Sequence, residues 1–228
     1  MPRSNRIAPP GIIFHVLNRG NDRRQIFDDD ADYAAFERVL TDALAAEPVR
    51  LLAYCLMPNH WHLLLMPIAN GQLGRFMQRL TVTHVRRWHA HRHSVGHGHL
   101  YQGTYKSFPV QDDVHFRAVA RYVERNPLRA ELVDRAEDWR WGSLWRRQSG
   151  SGEERMILAE WPTPRQADWV ARVNRPQSAK EEEAIRRSVK RGRPFGDDAW
   201  QQETAAALNL GSTFRDRGRP RKLAKDGE

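Results

Sequence analysis

Residues 49–66 read V-R-L-L-A-Y-C-L-M-P-N-H-W-H-L-L-L-M. Two apolar runs, 49–56 and 60–66, flank Met57-Pro58-Asn59, a turn by composition. Each run has the length and apolar character of a strand. So short a connection makes them antiparallel neighbours. In the second run, residues two apart share a face. His60 and His62 therefore point one way, while Trp61 turns the other way to pack with Leu63 and Leu65. Two imidazoles on alternate strand positions stand about 6.5–7 Å apart at Cα, close enough to converge on one cation.

Upstream, Ile12, Phe14 and Val16 alternate with Ile13, His15 and Leu17, a further strand. Asn18-Arg19-Gly20-Asn21-Asp22 breaks it. Asp28, Asp29 and Asp30 supply N-cap candidates for a helix carrying Tyr33, Phe36, Val39, Leu40, Ala43 and Leu44 at helical spacing. Pro48 ends it. Downstream, Asn70-Gly71 opens a second helix over about 72–89, with Leu73, Phe76, Met77, Leu80, His84 and Trp88 on one face as packing residues. A Gly- and His-rich loop follows at 91–98, then a strand at 101–110. Asp112 and Asp113 cap a helix to about 125 that bears Val114, Val119, Tyr122 and Val123, and Asn126-Pro127 closes it. Trp139, Trp141, Leu144 and Trp145 pack back on the domain. The order strand–helix–strand–strand–helix–strand–helix predicts an α+β domain: a ferredoxin-like antiparallel sheet with helices on one face.

Composition changes near residue 148. The predicted domain spans 1–147. Gln148-Ser149-Gly150-Ser151-Gly152 reads as a linker to a basic, partly helical, DNA-contacting tail over 148–228, with short helices near 178–190 and 197–208. The 228 residues carry a net charge of +9, which points to a polyanionic partner, nucleic acid first. The single cysteine, Cys55, permits no internal disulfide. It reads as a core residue in a reducing, cytoplasmic setting. No apolar run approaches the roughly 20 residues of a membrane helix, and residues 1–11 lack the apolar stretch of a secretory signal.

Tyr122 and Asn126 stand four apart on the late helix and so share a face. Alone, each motif has a plain reading: packed histidines, a core tyrosine, an Asn-Pro turn. Together they describe phosphodiester cleavage, which needs a nucleophile, a Lewis acid on the phosphate and positive charge along the backbone. Tyr122 attacks phosphorus and becomes a phosphotyrosine. His60 and His62, with Asn126 as third ligand, hold Mg²⁺ or Mn²⁺. A free 3′-OH can then attack the intermediate and join strands.

Leu56-Met57-Pro58-Asn59-His60-Trp61-His62-Leu63-Leu64 resembles the HUH segment of the transposases that move single-stranded insertion sequences. Tyr122-Val123-Glu124-Arg125-Asn126-Pro127-Leu128-Arg129-Ala130 resembles the helix bearing their single tyrosine. Asn18-Arg19-Gly20, Gly103-Thr104-Tyr105 and Trp139-Arg140-Trp141-Gly142-Ser143 fit the same pattern. The resemblance spans about residues 8–147, and its nearest branch is the REP-associated tyrosine transposases. It implies a ferredoxin-like HUH domain, a single-stranded DNA substrate often beside a hairpin, and cleavage to a 5′-phosphotyrosine and a free 3′-OH. On the same resemblance Tyr122 is the nucleophile, His60 and His62 are ligands, and Asn126 takes the place of an amide ligand that is often glutamine. The transposase is expected as monomer or homodimer, which leaves open whether Tyr122 serves the His pair of its own chain.

Other candidates are weaker. His91, His93, His97 and His99 read as a loop near DNA before a zinc site. Arg23, Arg24, Arg86, Arg87, Lys106, Arg117 and Arg121 are phosphate contacts or solvated charges. Two Arg-Gly-Arg-Pro runs, with Arg191 and Arg193 in one and Arg217 and Arg219 in the other, resemble AT-hook cores, though neither begins with proline. They read as DNA contacts or as a basic tail. The competing functions are a non-catalytic hairpin-binding protein derived from a transposase and a zinc-dependent structural protein.

Overall fold

The computed structural model describes residues 6–215. Strands β1 (Ile13–Arg19), β2 (Arg50–Met57), β3 (His60–Met66) and β4 (Lys106–Val110) form one sheet in the order β2-β3-β1-β4. All pairings are antiparallel. This is the ferredoxin-like order expected of the α+β pattern, with the His-bearing strand in the centre. The Pro58-Asn59 turn sets the β2–β3 register, Met57 opposite His60 and Cys55 opposite His62. Leu17 faces His62 from β1, and Arg19 faces His60.

Helices α1 (Asp30–Ala46) and α2 (Gln72–His91) cover one face. The Asp29 carboxylate caps α1 by accepting from the Asp32 amide at 3.0 Å, so one of the three candidate aspartates does the capping. On this face Phe14, Val16, Trp61, Leu63 and Leu65 meet Phe36, Leu40, Phe76 and Leu80.

The expectation of helices on one face holds only for α1 and α2. The opposite face is covered by α3 (Val114–Glu124), the short α4 (Asn126–Arg129) and α5 (Ser143–Ser149), and later by α7 (Trp169–Asn174) and α8 (Ala179–Arg191). The reason lies in the strands. Ile13, Leu52, Cys55, Leu64 and Phe108 are apolar on that side too, so the sheet needs a second layer. Strand β4 begins at Lys106, not at 101. Tyr101 makes only an isolated bridge to Gly20.

Residues 148–152 do not form a spacer. Ser149 ends α5, and Ser151 caps α6 (Gly152–Arg155) in a reciprocal box with Glu154. Trp169, Val173 and Ile185 then enter the same apolar cluster as α3. Helix α9 (Asp198–Ala207) follows. The first Arg-Gly-Arg-Pro run is a helix end: Gly192, at φ 75°, is the left-handed cap of α8, the conformation glycine takes most readily. Arg217 and Arg219 lie outside the described residues.

Both outer edges of the sheet are occupied. Along β2, the Leu51 carbonyl accepts from the Ala159 amide at 2.8 Å and the Leu56 amide donates to the Trp141 carbonyl at 2.9 Å. The Leu52 and Leu56 carbonyls accept from the indoles of Trp161 and Trp139. Along β4, Phe195 exchanges backbone bonds with Pro109 and Gln111. Among the described residues no helix is long and apolar enough to cross a membrane.

Candidate functional site

Alternation along β1 and β3 puts His15, Leu17 and Arg19 on the same face as His60 and His62. The His60 and His62 rings stand 5.0 Å apart, edge to face. His15 sits beside them, its Nε2 2.8 Å from His62 Nδ1. Burial is the first reason all three stay neutral. It lowers His15 and His60 to about 3 and holds His62 well below the usual imidazole range. The neighbouring His60 adds to the effect on His15, and Arg19 and Arg129 add to that on His60. A neutral imidazole keeps a lone pair for a ligand.

Helix α3 closes the site from above. Tyr122 is buried, with its ring 6.0 Å from that of His62 and nearly perpendicular to it. The helix is held by its other side chains. Glu124, fully buried, accepts from Ser143 Oγ at 2.6 Å and from Trp169 Nε1 at 2.7 Å. Burial pushes its carboxyl above the usual range despite those donors. Arg125 donates to the Val173 and Asn174 carbonyls.

Helix α3 ends at Glu124, as the Asn126-Pro127 signal predicts, but a further turn follows it at once. Arg125 forms a one-residue joint and α4 starts at Asn126, with Pro127 in its first turn, where a missing N–H costs nothing. Arg129, one turn on, lies over the Tyr122 ring at 4.3 Å and donates to Asn126 Oδ1 at 2.6 Å. Asn126 Nδ2 is buried without a partner.

One chain therefore gathers His60, His62, Tyr122 and, through Arg129, Asn126. No three of the described His, Cys, Asp or Glu side chains converge on a metal position. Two neutral imidazoles suit a divalent ion that completes its shell with phosphate and water oxygens, whereas Asn126 Oδ1, the atom an amide offers a cation, is held by Arg129 and has to leave it to act as a ligand.

Residues 10–126, more than half of the chain, match the family model described as "Transposase IS200 like". The chain belongs to the IS200-like transposase family. No curated protein matches it. Among solved structures, a REP-associated tyrosine transposase bound to a REP hairpin aligns with a TM-score of 0.49 at 18% identity, covering 73% of this chain and 96% of that one. A Deinococcus radiodurans R1 protein assigned as a transposase aligns at 0.38 and 21% identity, over 54% and 96%. Membership makes the chain a DNA transposase, and so an enzyme.

Within the transposase the basic candidates sort by partner. Arg23 and Arg24 are exposed on the turn beside Asn59, and Arg86 and Lys106 are exposed elsewhere. Arg117 is half-buried. Arg87 pairs with Asp42 at 3.4 Å. Arg121 holds the Arg175 and Pro176 carbonyls. Arg193 lies over Phe214 and bonds Gln201, and Arg191 bonds the Thr213 carbonyl. These last three are engaged within the chain, Arg121 by the residues just after α7 and the other two by α9 and residues 213–214, which residue type alone does not reveal.

His15, Arg19 and Arg129 were not singled out from the sequence as members of the site. His15 had a usable signal: its odd-numbered place in β1 puts it on one face with Leu17 and Arg19, and the antiparallel register supplies the rest.

Proposed function

We propose that this transposase cuts and rejoins single-stranded DNA through Tyr122, with His60, His62 and Asn126 holding Mg²⁺ or Mn²⁺, and that it is a REP-associated type acting beside a DNA hairpin. The observation that carries the reading is the 6.0 Å approach of Tyr122 to His62 within one chain. It brings a nucleophile to a pair of neutral nitrogen ligands.

Tyr122 Oη attacks phosphorus, the bond to the 3′-oxygen breaks, and that oxygen leaves as a 3′-OH after taking up a proton. The 5′-phosphate stays on Tyr122, which has lost its own proton. A bound divalent ion supplies Lewis-acid polarisation of the phosphate. Arg129 keeps a fixed positive charge beside the attacked group, and Arg19 borders the same pair of histidines. Next to Arg19 lies a cavity of about 350 Å³ lined also by Asn18, Gln102, Tyr105 and Lys106. A larger one of about 760 Å³ continues past Leu100, Tyr101, Val82 and Arg86. Apolar walls with basic rims suit an unpaired strand whose bases stack while its phosphates meet charge. The basic tail, including Arg217 and Arg219, is proposed to add sequence-tolerant contacts to DNA.

Incubation with labelled single-stranded DNA from the flanks of the gene, plus Mn²⁺ or Mg²⁺, should give a protein–DNA adduct that survives a denaturing gel. Tyr122→Phe should give none while still shifting the DNA on a native gel. An adduct formed by the Phe variant rules out Tyr122 as nucleophile, and equal cleavage in excess chelator rules out the metal.

A further inference from the structure

Both histidines of the pair meet their neighbours through the same ring nitrogen. His60 Nδ1 lies 2.5 Å from Asn59 Oδ1, and His62 Nδ1 lies 2.8 Å from His15 Nε2. The Asn59 amide has its orientation set from elsewhere, since its Nδ2 donates to the Arg23 carbonyl at 3.2 Å. Its oxygen therefore faces His60, and a carbonyl oxygen only accepts. In the neutral ring the proton sits on His60 Nδ1 and the lone pair on Nε2.

The bond between His62 and His15 allows two arrangements, because one imidazole must donate and the other accept. If His15 donated, the His62 lone pair would lie on Nδ1, aimed at His15 and away from any ligand. If His62 donates, its Nε2 carries the lone pair, as in His60. His15 is fixed in place. It is 1% exposed and lies against Phe108 at 4.8 Å between ring centres, so its Nε2 is held beside His62 Nδ1, and of the two arrangements only the one in which it accepts leaves His62 a lone pair for a ligand.

We propose that His15 and Asn59 are positioning residues that hold His62 and His60 in one shared tautomer, proton on Nδ1 and lone pair on Nε2, so that both rings offer Nε2 to a single divalent cation. The inference rests on the metal-dependent reading given above. Metal-bound imidazoles commonly hand their second N–H to a carboxylate or a carbonyl. Here one acceptor is an amide and the other an imidazole, and neither brings negative charge. The cation then keeps its full charge for the phosphate.

The turn before α1 completes the device. The Gly20 amide donates to the Asn59 carbonyl at 2.9 Å, and a Cβ at Gly20 would lie 2.3 Å from the Arg24 carbonyl oxygen. Only glycine lets the chain fold back closely enough to present the Arg23 carbonyl to Asn59.

The test uses the full chain, metal-free and labelled with ¹⁵N-histidine, at pH 7.5. Long-range ¹H–¹⁵N correlation spectra should show pyrrole-type Nδ1 and pyridine-type Nε2 for His60 and His62. Free Mn²⁺ is then followed by its electron paramagnetic resonance signal. His15→Phe should spread His62 over both tautomers and weaken Mn²⁺ binding by about 10- to 100-fold. His15→Gln, whose Oε1 stands where Nε2 stood, should recover most of that loss. Asn59→Leu should do the same to His60, and Asn59→Asp should keep its tautomer. A wild-type His62 protonated on Nε2 overturns the proposal, as does His15→Phe binding Mn²⁺ as tightly as wild type. Should the Phe variant fail to fold by circular dichroism, the wild-type spectrum decides alone. Expected tautomers in a chain that binds no Mn²⁺ support the positioning role and remove the metal reading instead.

Discussion

The two faces of strand β3 are built from the same seven residues and have opposite characters. On the α1/α2 side Trp61, Leu63 and Leu65 are fully buried in hydrocarbon. One polar thread crosses that side: Trp61 Nε1 donates to the Tyr101 hydroxyl at 2.9 Å, and that hydroxyl shares a hydrogen bond with His84 Nδ1 at 2.6 Å. Every member of the thread has a partner. On the α3 side, His60, His62, His15, Tyr122 and Arg129 crowd together, and the Nη1 atom of Arg129 and Nδ2 of Asn126 are buried without hydrogen-bond partners. Unpaired buried donors cost stability. One face stabilises the fold, and the other stores unfavourable burial at the reactive groups.

The largest test of that contrast is on the chemistry. Tyr122→Phe should remove all DNA adduct yet move stability by no more than about 0.5 kcal/mol in a urea titration. A marked loss of stability would show that the face is structural. Second, Trp61→Ala should cost about 3–5 kcal/mol, since it empties a fully buried site. A variant that melts near wild type would mean that this face is not the keystone. Third, Tyr101→Phe should cost about 1–3 kcal/mol by orphaning both Trp61 Nε1 and His84 Nδ1, and the double change with His84→Phe should cost less than the two single changes added. A purely additive result would break the thread into unrelated contacts.

The last test is pH, which acts on several rings of both faces at once. His15, His60 and His84 are lowered to about 3, mainly by burial, whereas an unfolded histidine titrates near 6.5. The unfolded state therefore takes up protons first. Stability is present in full above about pH 6.5 and falls below it, by about 1 kcal/mol per pH unit for each such histidine. The metal-free melting temperature should decline from about pH 6.5 to about 5.5, a window that ends before most carboxylates begin to titrate. A flat profile in that window would mean that these rings are accessible to protons in the folded state.

Much of this contrast was legible in the sequence. The short turn at Met57-Pro58-Asn59 and the alternation of His60, Trp61 and His62 are local properties, and they gave the strand pair and its two faces. Asp29 as a cap and Gly71 at the start of α2 are equally local. What escaped depended on contacts far apart in the chain. His15 becomes part of the site only through the β1–β3 register. Arg129 enters it only because a second short helix, α4, starts directly after α3 with Pro127 in its first turn. Residues 148–152 carry the composition of a spacer, but Ser151 and Glu154 have the spacing of a capping box, and it is the box that forms. Arg191 to Pro194 shows the same ambiguity: a glycine between arginines suits a DNA groove or the end of a helix, and the packing of α8 on β4 decides for the helix end.

The bonds along β2 and β4 have a consequence for the life of the protein outside its reaction. A bare strand edge is a template on which a stranger's backbone can grow, the first step toward cross-β fibres. With indoles and loop groups bonded along one border and Phe195 along the other, encounters between crowded copies find less to copy. The pressure to avoid clumping is met by ordinary backbone bookkeeping, which leaves the surface free to stay as basic as a polyanion-seeking protein requires.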